Sequence, residues 1–409
     1  MVAWQRGHRR EELHLPEPHA VDHRSPTEQG FEAQHLDDAW SVVEEGASQG
    51  AFGGAVAAVA RRGWVVFQRA TGWAVSEPER LPMVEETIFD LASLTKVVAT
   101  LPAMLLLAGG GALTLDDPVG RILPEFGTAG WKGEATIRHL LTHTAGLPAW
   151  LPLYLDDVGP EQYLTAIAET QPVARPGDQV VYSDLGFILL GEVIRRVTGQ
   201  DIARFVSTEL FARLGLRATM FTPPASIRAR IAATERGNVT EIGMCGERAE
   251  SFPRWRRDVI WGETNDGNSF YGLGGIAGHA GLFGTASDLA RYGQLWLQHG
   301  VWEDERVLNE APVNEATREQ APGRGLGWRT ATLHDRGASN PGKALSLRAY
   351  GHTGFTGTSL WIDPARELVI VLLTNRLHPV ARPEIEVIRP AFHAAVAAAC
   401  SEGAHHGAS

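Results

Sequence analysis

Ser93 and Lys96 lie three residues apart in the segment Ser-Leu-Thr-Lys, just before a long apolar run. Residues at positions i and i+3 of a helix share one face, so the lysine amine can reach the serine oxygen. Serine is a weak nucleophile until an adjacent base takes its proton, and a desolvated lysine can be that base. The first turn of a helix also has unpaired N–H groups that favour developing negative charge. The spacing indicates nucleophilic catalysis by Ser93, although a solvated helix face can show Ser-x-x-Lys by chance.

Two later segments carry further polar groups of interest. Tyr182-Ser183-Asp184 precedes an apolar stretch with helical spacing, and His352-Thr353-Gly354 lies between strand-like segments at 345–350 and 358–362. The hydroxyl of Thr353 can donate a hydrogen bond to an anion. Gly354, without a side chain, allows a substrate to approach the strand closely.

The order of these three segments resembles a known family. Ser-x-x-Lys, then Tyr-x-Asn, then Lys-Thr-Gly is the signature of the serine β-lactamase and penicillin-binding protein superfamily. The chain is similar to the class C branch, which contains class C β-lactamases, DD-peptidases and related esterases. The resemblance extends from about Phe31 to about Ala399 and includes the family-like phrases 140–147 and 278–283. It implies a serine hydrolase that forms an acyl-enzyme and needs no cofactor.

The resemblance also implies roles for individual residues. Ser93 would be the nucleophile, and Tyr182 would shuttle the proton between nucleophile and leaving group. We expect burial and neighbouring groups to lower the pKa of Lys96 until it can accept a proton, so either Lys96 or Tyr182 is the general base. The backbone N–H groups of Ser93 and Phe355 would form the oxyanion hole, each stabilising the transition state by about 3 kcal/mol.

Two positions depart from the family pattern. Asp184 stands where the family usually has asparagine, and an ionised carboxylate only accepts hydrogen bonds. We expect Asp184 to hold Lys96 in its charged form and to favour Tyr182 as base. His352 stands where lysine is usual, and histidine is mostly neutral at neutral pH. We therefore expect weaker binding of a substrate carboxylate at His352.

Periodicity predicts strands at both ends of the chain and helices in the middle. The predicted strands are 54–61, 64–73, 327–332, 345–350, 358–363 and 368–374, and the main predicted helices are 31–46, 93–108, 137–142, 161–169, 185–198, 202–214, 286–298 and 384–399. This predicts an α/β (α+β) fold in which both chain ends form one antiparallel sheet flanked by helices, with a mostly helical lobe inserted. The resemblance implies the same β-lactamase/transpeptidase-like architecture.

The domain prediction follows from this pattern. Residues 1–30 are expected to be a flexible arm and 401–409 a tail. One hydrolase domain would span 31–400, with an α/β lobe at about 31–112 and 285–400 and a helical lobe at about 113–284.

Composition narrows the choice of partners. The net charge of −11 argues against nucleic acid or an anionic membrane as the main partner. The longest apolar stretch, 97–108, contains a proline and is too short to span a bilayer. The N-terminal residues lack the apolar core of a signal peptide, so we expect a cytoplasmic protein unless the true start lies upstream. The substrate would be a peptide or small molecule, and the oligomeric state stays open.

The side chains that suggest other chemistry are few. His143 and His279 lie in family-like phrases and are expected to be structural, and Glu263, Asp266 and Asn268 are expected to form a turn. No metal-binding spacing occurs, so no metal is predicted. Cys245 and Cys400, the only cysteines, are expected to be buried or free thiols.

Three substrate classes fit the motifs. A D-amino-acid peptidase or penicillin-binding protein fits them directly, a carboxylesterase fits a relaxed anion site, and the two departures disfavour an efficient β-lactamase. A ligand-binding sensor on the same fold, without catalysis, is the hypothesis of a different class. The retention of serine, lysine and tyrosine together argues against the sensor.

Overall fold

Both ends of the chain contribute strands to one antiparallel sheet. The computed structural model describes residues 23–127, 129–156, 158–331 and 344–400. The strands are β1 (Gly54–Arg61), β2 (Trp64–Val75), β3 (Leu81–Pro82), β4 (Phe89–Asp90), β5 (Met220–Phe221), β6 (Leu282–Gly284), β7 (Val301–Trp302), β8 (Glu305–Arg306), β9 (Arg329–Thr330), β10 (Tyr350–Thr353), β11 (Ser359–Asp363) and β12 (Leu368–Thr374). Seven of them form the main sheet in the order β3-β2-β1-β12-β11-β10-β9.

Helices cover both faces of this sheet and fill the middle of the chain. They are α1 (Ala33–Ser48), α2 (Leu101–Gly109), α3 (Val119–Ile122), α4 (Trp131–Glu134), α5 (Ile137–Leu141), α6 (Pro160–Glu169), α7 (Asp184–Thr198), α8 (Ile202–Val206), α9 (Ala212–Leu214), α10 (Val239–Cys245), α11 (Ala286–Leu297), α12 (Glu310–Thr317) and α13 (Ile385–Ala399). The mixed architecture confirms the predicted fold class.

The interior strand β1 shows why two layers of helix are needed. All eight of its residues are buried, because its small apolar side chains point alternately to opposite faces of the sheet. Val56 and Ala58 belong to the core shared with α2 and α11. Ala57 and Val59 belong to a second core on the other face, where α1 and α13 pack. Ser93 and Lys96 lie just before α2, and His352 lies on β10.

The segment that contains Ser93 is not one regular helix. A 3₁₀ turn covers Ala92–Leu94, a π-helical turn covers Lys96–Thr100, and α2 follows. The change of helix type comes just before Pro102. Proline has no N–H to donate to Val98, and the N–H of Leu101 bonds to the carbonyl of Lys96, five residues back. Residues Ala92–Gly109 have the length and apolarity of a membrane span, but 72% of this stretch is buried inside the fold.

The other deviations from the sequence predictions are local. The strand predicted at 345–350 begins at Tyr350, so His352 and Thr353 lie on β10 itself instead of between two strands. Turns occupy most of 345–349. Residues 23–30, predicted as part of an arm, pack on the sheet: Arg24 N donates to Val65 O at 3.1 Å, and Arg61 donates to Gln29 O at 2.7 Å. The rest of the predicted arm (1–22), the tail (401–409) and Thr332 lie outside the described residues.

Candidate active site

Ser93 and Lys96 meet as their spacing predicts. Lys96 Nζ donates a hydrogen bond to Ser93 Oγ at 3.1 Å. The residue before the serine, Ala92, has φ of 46°, a left-handed conformation that is costly for a residue with a side chain. Asp90 holds this turn, because its Oδ1 accepts the N–H of Ala92 at 2.8 Å. A strained turn therefore presents Ser93 at the start of its helix.

Lys96 is fully buried and surrounded by oxygen atoms. Its Nζ lies 2.7 Å from Asp184 Oδ1 and donates to the carbonyl of His279 at 3.1 Å. Burial alone would lower the pKa of Lys96, but the charge of Asp184 and the Tyr182 hydroxyl outweigh it, and the pKa lies above its ordinary value. The expectation that the pKa of Lys96 is lowered is therefore wrong. The structure agrees instead with the expectation that Asp184 keeps this lysine charged.

Tyr182 lies among aromatic and cationic groups beside Lys96. Its ring centroid is 4.6 Å from that of His143, 5.8 Å from that of His352 and 5.0 Å from Lys96 Nζ. His143 also positions the second motif, because its Nδ1 accepts the N–H of Ser183 at 3.0 Å. Ser183 caps α7 by accepting the N–H of Gly186. Asp184 thereby begins α7 with its carboxylate directed at Lys96.

His352 presents a neutral hydrogen-bond acceptor to the cavity instead of a positive charge. Only 2% of it is exposed, and burial, with Arg324 and Lys96 nearby, holds its pKa well below the ordinary range. Its Nδ1 lies 2.8 Å from the carbonyl of Thr353. A carbonyl only accepts, so Nδ1 carries the proton and Nε2 is left as an acceptor. Nε2 has no hydrogen-bond partner in the described part of the chain.

Hydrogen bonds join the turn after β10 to the turn before Ser93. Thr356 Oγ1 donates to Asp90 O at 2.7 Å, and Thr358 Oγ1 donates to Leu91 O at 3.0 Å. A Cβ on Gly354 would overlap the Leu91 carbonyl and the Thr358 side chain. The absent side chain of Gly354 thus allows the nucleophile turn to approach closely. The N–H of the next residue, Phe355, makes no hydrogen bond within the described residues, as an oxyanion donor requires.

One cavity of about 330 Å³ contains all three motifs. Ser93, Tyr182, Asp184, His352, Thr353, Gly354 and Phe355 line it, and Lys96 lies beneath Ser93. Sequence reasoning missed other lining residues: Glu241, Asp266, Arg324, Arg329, Arg376, Glu386 and Arg389. No local pattern marks them, because they come from α10, β9, α13 and loops that are distant in sequence.

Two of the missed carboxylates are Asp266, in the segment expected to form a turn, and Glu241, on α10. Asp266 does form a turn, since its Oδ1 accepts the N–H of Ser269 at 2.7 Å, but the same atom lies 2.8 Å from His279 Nε2. This contact positions His279, whose own backbone carbonyl accepts a hydrogen bond from Lys96 Nζ. Burial and the Asp266 charge raise the pKa of Glu241, which accepts hydrogen bonds from Tyr154 and the N–H of Gly267.

Arg324 is the missed residue nearest the reacting groups. Its guanidinium carbon lies 5.2 Å from the centroid of the Tyr182 ring. Its positive charge is also the main charge that lowers the pKa values of His143 and His352, after burial. Arg324 therefore brings to this end of the cavity the positive charge that neutral His352 lacks.

Possible metal ligands and the two cysteines are the remaining groups with chemistry of their own. Among residues 23–127, 129–156, 158–331 and 344–400, no group of three or more His, Cys, Asp or Glu side chains could hold a metal ion. Cys245 and Cys400 are both buried, as expected.

Asp90 gives a testable pH dependence of stability. Burial raises its pKa to about 6, against an ordinary value of 3.8. Since the folded state binds this proton more tightly than the unfolded state, the contribution of Asp90 to the free energy of unfolding falls as pH rises from about 4 to about 6. Two pKa units correspond to about 3 kcal/mol. In Asp90→Asn this term is absent, so the variant should gain up to that amount relative to the unchanged protein over this pH range.

Urea unfolding at several pH values measures this difference. Asp38→Asn, an exposed aspartate on α1, is the control and should follow the unchanged protein. A constant difference between Asp90→Asn and the unchanged protein across the range would contradict the raised pKa of Asp90.

The chain is similar to known proteins in sequence and in fold. The family model described as Beta-lactamase matches residues 39–392. The chain belongs to the beta-lactamase family. A relative from Escherichia coli (strain K12), named "Putative D-alanyl-D-alanine carboxypeptidase", is 35% identical over 348 residues, which cover 80% of this chain and 77% of that protein.

Solved structures of the beta-lactamase family share the fold. A penicillin-binding protein homologue from Caulobacter crescentus has a TM-score of 0.70 at 22% identity, covering 90% of this chain and 99% of that one. EstCE1, described as a hydrolase with promiscuous acyltransferase activity, has a TM-score of 0.68 at 26% identity, covering 89% of this chain and 98% of that one. This beta-lactamase-family chain is therefore similar in sequence to a protein named as a D-alanyl-D-alanine carboxypeptidase, and in fold to a penicillin-binding protein homologue and to the hydrolase EstCE1.

Proposed function

We propose that this chain is a serine hydrolase that forms an acyl-enzyme on Ser93 and removes a D-amino acid from the carboxyl end of short peptides. The observation that carries the proposal is the contact of Lys96 with Ser93 Oγ and Asp184 beside Tyr182, inside one cavity. The similarity to a carboxypeptidase relative supports the choice of reaction.

The proton transfers follow from the charge on Lys96. A lysine whose pKa is raised by Asp184 keeps its proton and does not act as base. Tyr182, acting as a phenolate that the lysine charge stabilises, accepts the Ser93 proton and becomes a phenol. Ser93 Oγ attacks the carbonyl carbon, and the oxygen takes up negative charge at the N–H groups of Ser93 and Phe355. Tyr182 returns the proton to the leaving amine, and water attacks the ester with Tyr182 again as base.

Arg324 supports a substrate that ends in a carboxylate. Arginine binds carboxylates through two parallel N–H donors and is always charged. It lines the cavity next to Tyr182 and His352. The weaker carboxylate binding expected from neutral His352 is thereby compensated by a residue outside the motif. Thr353 can donate its hydroxyl to the same group.

Asp184→Asn tests the proposed role of Lys96. Without the carboxylate 2.7 Å from its Nζ, the pKa of Lys96 should fall by about 1 to 3 units. The alkaline limb of the kcat/KM profile, where Lys96 loses its charge, should move to lower pH by that amount. Asp178→Asn, an exposed aspartate on the loop before Tyr182, should leave the profile in place. An alkaline limb that does not move would show that Asp184 does not set the charge of Lys96.

A carboxylesterase is the second candidate. The neutral acceptor at His352 and the similarity to EstCE1 favour it. An ester has a better leaving group than an amide, so its cleavage depends less on protonation of the leaving group by Tyr182.

Three matched substrates separate these functions. They are a dipeptide ending in D-Ala-D-Ala, the same peptide with its carboxyl end amidated, and a p-nitrophenyl ester of the same acyl group. A carboxypeptidase should cleave the free acid at least about tenfold faster than the amide, because the charged hydrogen bond to Arg324 contributes about 1.5 to 3 kcal/mol. Hydrolysis of the ester alone would favour the esterase. Benzylpenicillin tests for a β-lactamase. Rapid turnover of benzylpenicillin would contradict the carboxypeptidase proposal. Stoichiometric binding of benzylpenicillin without turnover of any substrate would favour the sensor.

A further inference from the structure

Arg389 on α13 is buried and has no partner among the described residues. Only 4% of it is exposed, and it makes no hydrogen bond or ion pair with any residue in the described ranges. Its Nε is buried and unpaired, and the residue lines the same cavity as Ser93. An uncompensated buried charge costs free energy, so this arginine destabilises the fold unless an anion enters the cavity.

Other cationic side chains lie around Arg389. Arg376 and Arg329 line the same cavity, and both repel the charge of Arg389. Burial first, and these two arginines next, lower the pKa of Arg389 to about 10, and only Glu386 acts in the opposite direction. Arg376 Nε donates to the carbonyl of Phe355 at 2.6 Å, so its guanidinium is fixed beside the turn after β10.

This cluster lies on the opposite side of β10 from the candidate catalytic groups. Arg329 on β9 and Trp361 on β11 both pair with Gly351, and directly opposite residues share one face of a sheet. Trp361 belongs to the core that packs against α13, which also carries Arg389. The cavity therefore passes around the end of β10, from Ser93 and Tyr182 on one side to the arginine cluster on the other.

The charges of the cavity are correspondingly separated. Asp184, Glu241 and Asp266 lie on the side of Ser93, whereas Arg329, Arg376 and Arg389 lie on the α13 side with Glu386 as the single carboxylate among the lining residues there. A neutral substrate would leave the buried charge of Arg389 without a hydrogen-bonded counter-ion among the described residues. A carboxylate would accept from the planar forks of the guanidinium groups.

We propose that Arg389, with Arg376 and Arg329, binds a second carboxylate of the substrate, in addition to the terminal carboxylate next to Arg324. The inference rests on the proposed function for the identity of the substrate, but the binding of a carboxylate can be measured without it. The preferred substrates are then short peptides with an acidic group at two positions, one at the cleaved end and one elsewhere.

Thermal unfolding with small acids tests the subsite directly. Arg389→Met keeps the volume of the side chain and removes its charge, so in buffer without carboxylates its melting temperature should equal or exceed that of the unchanged protein. Glutarate, a dicarboxylate, should raise the melting temperature of the unchanged protein more than butyrate does at equal ionic strength. It should not raise that of Arg389→Met. Arg204→Met, an exposed arginine on α8, is the matched control and should respond to glutarate as the unchanged protein does.

A structural arginine would give a different pattern. If Arg389→Met unfolds at lower temperature and responds to glutarate as before, the arginine supports the fold and the proposal is wrong. Arg389→Lys keeps the charge but not the fork, so it should fold and respond more weakly to glutarate. A full glutarate response in Arg389→Lys would also overturn the proposal.

Kinetics separate this inference from the proposed function. N-succinyl and N-propionyl forms of a D-Ala-D-Ala peptide differ only by one carboxylate. The ratio of their kcat/KM values should fall by about 10- to 100-fold in Arg389→Met, as expected for a lost charged hydrogen bond, and stay unchanged in Arg204→Met. An unchanged ratio in Arg389→Met would overturn the subsite. If neither peptide is cleaved by any form of the protein but glutarate binds only where Arg389 is present, the carboxypeptidase function fails and the subsite stands.

Discussion

Replacing Ser93 with alanine is expected to reduce hydrolysis by at least about 10³-fold, because the proposed mechanism forms the acyl-enzyme on its Oγ. Ser93 Oγ is the hydroxyl bonded to buried Lys96, and it lies at a strained turn at the cavity surface. The residual rate would come from substrate binding and the oxyanion donors, which Ser93→Ala retains. The fold should persist, since the change removes one partly exposed hydroxyl.

Intact-protein mass spectrometry after addition of benzylpenicillin or a reactive phosphonate ester measures this directly. The unchanged protein should gain one covalent adduct, and Ser93→Ala should gain none. Ser41→Ala, an exposed serine on α1, should behave like the unchanged protein. Hydrolysis at the normal rate by folded Ser93→Ala would place the reaction at another residue and remove the proposed mechanism.

Replacing Tyr182 with phenylalanine is expected to lower kcat/KM by about 10²- to 10⁴-fold, the usual contribution of a general base. Phenylalanine keeps the ring between His143 and His352 and loses only the hydroxyl. Lys96 cannot take over as base while Asp184 keeps it protonated. The loss should therefore appear in kcat with little change in the melting temperature.

The double variant Tyr182→Phe with Asp184→Asn adds a second comparison. If removal of the carboxylate frees Lys96 to act as base, part of the activity should return at high pH. Tyr271→Phe is the matched control, because the Tyr271 hydroxyl bonds to Asn238 and the residue does not line the cavity. Activity in Tyr182→Phe close to that of the unchanged protein would assign the base to Lys96 instead.

Local sequence patterns were sufficient to predict several of the helices and strands around the site. The serine and lysine meet because three residues are one helical turn, which needs no knowledge of the rest of the fold. Strand β1 matches its predicted bounds, and α7, α11 and α13 lie within one residue of theirs, because each has a clear apolar period. The three-motif order also predicted the family, and the comparisons confirm it. The strand with His352 was misplaced, because the polar and glycine residues of β10 lack an apolar alternation.

The charges at the site depend on groups that are distant in sequence. Lys96 is protonated because Asp184, 88 residues later, lies 2.7 Å away in a buried space. His352 is neutral because the fold buries it near Lys96 and Arg324. Coulomb energies in a poorly solvated space depend on separations of a few ångströms, and sequence spacing does not encode these. The motifs alone thus determined which residues could react, whereas packing determined their protonation and brought Arg324 and Arg389 into the cavity.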